Sequence, residues 1–76
     1  MPKTIEKSSP IYDIVWSNIR RIQYLEHIPD HYLAESLNVT ERSLINYDKE
    51  PQKITLERIQ KFIDATNVTI GELFLK

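Results

Sequence analysis

The segment 30–48 constrains this chain more than any other, because its apolar residues fall at helical spacings on both sides of a turn. Leu33 and Leu37 are four residues apart, and Leu44 and Tyr47 three apart. Either spacing puts both side chains on one face of a helix. Between the two runs lies Asn38-Val39-Thr40. Asn tolerates the left-handed conformation that ends a helix, and Thr is a good N-cap for the next one. Two short helices are therefore predicted, at 30–37 and 41–48. Ala34 stands where they would cross, and its small side chain permits close approach.

Such an order is the pattern of a helix-turn-helix, whose second helix usually lies in the major groove of DNA. At 76 residues, one small domain is the expectation. There is no cysteine, so neither a disulfide nor a thiolate metal site can brace it. Two histidines far from any paired-carboxylate pattern point away from a metal. Hydrophobic residues at 41% and charged residues at 28% fit a soluble globular domain. No apolar run approaches the ~20 residues of a membrane span, and the first residues are too polar for a secretory signal. Cytoplasm is the expected location. The net charge of −1 and pI of about 6.1 argue against nucleic-acid binding, where a basic face supplies much of the affinity. The distribution of charge matters more than its sum.

Residues 1–9 carry Lys3, Glu6, Lys7, Ser8 and Ser9 with little apolar content, and read as a flexible tail ahead of a domain at 10–76. Ser9 and Pro10 signal a helix start. Val15, Ile19 and Ile22 form the core stripe of a helix running to about Glu26. Ile11 and Trp16 widen that stripe, and Tyr12 and Ile14 widen it further, toward either the core or another subunit. Tyr24 lies nearly opposite the stripe and is expected to be exposed. Ile28-Pro29 ends the helix, since a residue before proline avoids the helical region. Beyond the polar loop at 49–53, Thr55 caps a fourth helix whose buried stripe is Leu56, Ile59, Phe62 and Ile63. Thr69 caps a short fifth helix with Ile70, Leu73 and Phe74 on its apolar face.

These parts, in this order, resemble the Cro/repressor-type helix-turn-helix proteins, the Xre family. The resemblance is carried by Ile19-Arg20-Arg21-Ile22, by 33–40 through the turn, by Leu44, Tyr47 and Asp48, by Ile54-Thr55-Leu56-Glu57 with Ile59, and by 67–74. It implies an all-α, five-helix repressor-like domain and a DNA-binding transcriptional regulator working as a homodimer on a two-fold, operator-like site. The base-reading positions it implies are Thr40, Glu41, Arg42, Ser43 and Asn46. The phosphate-side positions it implies are Asp30, Lys49 and Lys53. Several residues depart from the family pattern. Asp30 brings a carboxylate close to the expected phosphate path. Glu50 replaces a common glycine, and Ile45 stands where the family is often polar. Gln23 replaces the arginine that often pairs with the acid at Asp48, so that ion pair is expected to be missing.

Read by their own chemistry, these residues keep two meanings each. Arg42 can bond guanine O6 and N7 together, or be an exposed helix charge. Glu41 can accept from a cytosine amino group, or simply suit a helix N-terminus. Asn46 can read adenine, and Ile45 can meet a thymine methyl or a partner protein. Arg20 and Arg21, side by side and off the core stripe, can grip phosphate or form a solvated face. The C-terminal helix has more apolar residues than one face can bury, so Leu73, Phe74 or Leu75 is expected to cross a dimer interface. No enzyme is expected. One glycine leaves no glycine-rich phosphate loop, and no Ser, His and acid form a nucleophile motif. Pro29 breaks the helical face that His27 and His31 would share. No cofactor is implied. The rival to a DNA-binding regulator is a protein-interaction module on the same fold, binding another regulator with weak or no DNA contact.

Overall fold

Three times in this chain a β-branched residue precedes a threonine, and an aliphatic residue follows four positions later: Val39-Thr40 with Leu44, Ile54-Thr55 with Ile59, and Val68-Thr69 with Leu73. Each starts a helix. In the computed structural model, which describes residues 10–75, each threonine has extended backbone and its hydroxyl accepts from the N–H three residues on, at Ser43, Arg58 and Glu72. At the third, Glu72 also reaches back to the Thr69 N–H at 2.8 Å, completing a capping box. The residue before the cap and the one four after it are the two ends of a hydrophobic staple. Leu44, Ile59 and Leu73 are buried, Ile54 is buried with them, and Val39 and Val68 pack against the same core.

The elements are α1 (Pro10–Leu25), α2 (Asp30–Leu37), α3 (Glu41–Lys49), a single 3-10 turn (Pro51–Lys53), α4 (Leu56–Thr66) and α5 (Ile70–Leu73). The secondary structure of the described residues is thus all helical, with five α-helices as expected. The expected tail at 1–9, the cap at Ser9 and the terminal Lys76 lie outside the described residues.

Helix ends follow local chemistry. Asn38 and Asn67 close α2 and α4 in the left-handed conformation, at φ 61° and 63°. After α1, His27 also turns left-handed, at φ 58°, and Pro29, with extended backbone, is the N-cap of α2. Val39 N–H then closes back on Ala34 O at 2.9 Å.

The core gathers Val15, Ile19 and Ile22 of α1, Leu33 and Leu37 of α2, Leu44 of α3, Phe62 of α4 and Leu73 of α5. Each fully buried aliphatic or aromatic side chain contributes about 1.5–3 kcal/mol. Three sequence expectations are corrected here. Leu56 is 82% exposed and Ile70 61% exposed, so neither joins the stripe assigned to it. Both are the first residue of their helix, just past the capping threonine. The inward position belongs instead to the residue before the cap. Ile11 is likewise exposed, whereas Trp16 is buried.

Candidate nucleic-acid interface

Leu44 and Tyr47 turn one side of α3 into the core. At 3.6 residues per turn, the side directly away from them carries Arg42, Ile45, Asn46 and Lys49. All four are exposed. Arg42, Asn46 and Lys49 make no side-chain hydrogen bond or ion pair with another described residue. Lys53 in the 3-10 turn and Glu41 at the front of α3 are also exposed.

This face is rigidly backed. The Tyr47 ring meets the Trp16 indole edge-on, with centroids 5.2 Å apart and planes at 68°. Asp48 takes the Trp16 Nε1–H on Oδ1 at 2.8 Å. It also takes Arg20 in a two-pronged pair, Nε to Oδ1 at 3.1 Å and Nη2 to Oδ2 at 2.9 Å. The Arg20 guanidinium lies over the Trp16 ring, 5.4 Å from its centroid. Its remaining nitrogen, Nη1, donates to Gln23 Oε1 at 2.6 Å and to Asp30 Oδ1 at 3.2 Å. Gln23 Nε2 donates to the same Asp30 oxygen at 2.7 Å. One arginine on α1 thereby ties the first residue of α2 to the end of α3.

An ion pair at Asp48 is therefore present, although position 23 holds no arginine to form it. It comes from Arg20, one turn before Gln23, and Gln23 bridges that arginine to Asp30. The electrostatics follow. Burial alone would raise the Asp48 carboxyl, but the hydrogen bonds from Arg20 and Trp16 outweigh it and hold Asp48 below the usual carboxylate range. The Gln23 amide, then Arg20, lowers Asp30. For Arg20, burial works against the charge and the two aspartates more than offset it, so its pKa is raised.

The other expected contacts separate. Arg21 Nε donates to Asn18 Oδ1 at 3.2 Å, and the Asn18 amide donates to Leu73 O at 2.9 Å and Leu75 O at 2.7 Å. Arg21 thus stands beside the C-terminal residues, while Arg20 faces the acids of α2 and α3, and the two do not form one basic site. Thr40 and Ser43 occupy each other, with Oγ1 and Oγ 3.1 Å apart, and Ser43 is half-buried. Among the expected dimer contacts, Leu73 is 0% exposed and belongs to this chain's own core, whereas Phe74 and Leu75 stay exposed at 44% and 57%. The expectation that one of the three crosses a dimer interface therefore rests on Phe74 or Leu75.

Two contributors escaped the sequence reading. Asn18 is buried at 6% exposure; the signal was its place on the Val15–Ile22 stripe, a polar residue among core positions. Arg58, third in α4, donates from Nη1 to Asn38 O at 3.0 Å and pins the turn between α2 and α3. Among the described residues, no three His, Cys, Asp or Glu side chains cluster as a metal site, and no helix is long and apolar enough to cross a membrane. Comparison of the chain with protein-family models, with curated proteins and with solved structures finds no match.

Proposed function

We propose that this chain is a sequence-specific DNA-binding transcriptional regulator in which α2 and α3 act as a helix-turn-helix. In this reading α3 enters the major groove. The observation that carries it is the outward face of α3, with Arg42, Asn46 and Lys49 exposed and unengaged on a helix whose opposite face is locked into the core. Arginine and an amide are the side chains that bond guanine and adenine edges in the major groove. Lys49 and Lys53 stand where phosphates flanking the groove would pass, and the Thr40, Ser43 and Glu41 end of α3 would meet the groove floor or its edge. Arg20 acts as a structural clamp in this reading and does not hold phosphate.

Acting alone, the domain offers one short reading helix, too few base contacts for strong specificity. Two copies about a two-fold axis, with their helices about 34 Å apart, double the readout. Phe74 and Leu75 are the exposed apolar residues proposed for that contact. The resemblance to Cro/repressor-type proteins favours a repressor.

A second reading, a protein-interaction module on the same fold, draws on the acids near this surface. Asp30 and Asp48 consume the charge of Arg20, which leaves fewer cations for phosphate. Selection from random-sequence duplex DNA at two salt concentrations separates the two. Enrichment of a two-fold motif, with affinity falling as salt rises, is the expected result. No enrichment at either concentration would overturn the DNA reading.

A further inference from the structure

One residue on the outward face of α3 has no role in the reading above. Ile45 is 56% exposed, on one flank of that face and about midway along it. The other large apolar residues of α3, Leu44 and Tyr47, are buried. A single exposed aliphatic side chain is ordinary on a protein surface. This one, however, lies three residues after Arg42, four before Lys49 and next to Asn46. An apolar protein partner would meet two unpaired cations around one small apolar spot. A major-groove floor offers acceptors, surrounding phosphates and one apolar group, the C5-methyl of thymine.

We infer that Ile45 is a specificity-determining residue that recognises thymine through its C5-methyl group, beside an adenine read by Asn46. The inference rests on the proposal that α3 reads DNA. The spacing is consistent with one helix serving neighbouring base pairs. Arg42 and Ile45 are separated by about 4.5 Å along the helix axis, and successive base pairs by about 3.4 Å. The half-site therefore places a guanine, bonded by Arg42, within one or two steps of an A·T pair whose methyl meets Ile45. Thr40 and Ser43 do not compete for that spot, since their hydroxyls are turned to each other.

The test uses the full chain and the duplex that selection enriches. Each thymine is replaced in turn by uracil, which deletes only the methyl and cannot unfold the protein. The unmodified protein should lose about fourfold in affinity at one position per half-site, the equivalent of one buried methyl. Ile45→Ala, checked for an unchanged melting temperature, should bind the thymine and uracil duplexes equally. An enriched site at which no thymine methyl matters, or at which the loss persists in Ile45→Ala, would overturn this inference and leave DNA reading by α3 intact. If no duplex is enriched and Ile45→Ala instead abolishes binding to a protein partner, both readings fall.

Discussion

Arg20 on α1 grips Asp48 at the end of α3 with two hydrogen bonds, Nε to Oδ1 at 3.1 Å and Nη2 to Oδ2 at 2.9 Å. The pair spans 28 residues of sequence. With Trp16 bonded to the same carboxylate, it fixes the angle at which α3 presents its outer face. Its side chains keep 27% and 46% exposure, so its energy is that of a well-oriented surface pair rather than a buried one.

Arg20→Ala should destabilise the domain by about 1 kcal/mol, the upper end for exposed ion pairs. Arg20→Lys should recover less than half of that, because a single ammonium cannot reproduce the two-pronged geometry. Urea midpoints at constant slope measure both. Full recovery by lysine would show that the fork geometry contributes nothing.

The same network sets an acid dependence. Asp48 and Asp30 both have carboxyls lowered in the folded state, so proton binding favours the unfolded chain. Their contribution is complete above the unfolded value of about 3.9 and is lost as pH falls through the lower folded-state values. The difference in melting temperature between the native chain and Asp48→Asn should therefore be flat from pH 7 to about 5 and close below about 4. A gap that stays constant down to pH 2 would show that the charge of Asp48 is irrelevant to stability.

If α3 reads DNA as proposed, reading and gripping should separate on α3 and the turn after it. Arg42→Ala should relax preference at one base pair, whereas Lys53→Ala should weaken all sequences alike and reduce the salt slope by about 1. Affinity measured on the selected site and on single-base variants of it distinguishes them. Uniform loss in both variants would remove Arg42 from the base readers.

The C-terminal residues test assembly. Leu75 has an exposed side chain while its backbone carbonyl is held by Asn18, so Leu75→Glu should leave the fold intact. If Phe74 and Leu75 form the proposed two-fold contact, it should shift the protein to monomer and weaken operator binding. Sedimentation that finds the unmutated chain monomeric at high concentration, both free and on DNA, would rule out this interface.

Much of the architecture is legible in the amino-acid sequence. Thr40, Thr55 and Thr69 as caps, Asn38 as the left-handed turn residue, and Leu33 with Leu37 and Leu44 with Tyr47 as pairs sharing one helix face all follow from relations within about one helical turn of each residue. So does the outward placement of Ile45. The candidate site was legible as a helix face but not as a set of partners. Arg20 and Arg21 are neighbours in sequence, yet one turns to Asp48 and Asp30 and the other to Asn18.

The sequence by itself therefore determined where helices start and stop and which residues share a face, because capping, left-handed turns and helical periodicity are short-range. Only the tertiary structure decided what each face meets. Leu56 and Ile70 have the apolar character of core residues, yet they begin their helices beyond the edge of the packed surface and point to solvent. Asn18 is polar, yet it is buried because the carbonyls of Leu73 and Leu75 come to it from the far end of the chain. Periodicity fixes a side chain's direction relative to its own helix axis. Whether that direction ends in a hydrophobic neighbour, a carboxylate or water depends on how the helices pack, and that is set by contacts between residues far apart in sequence.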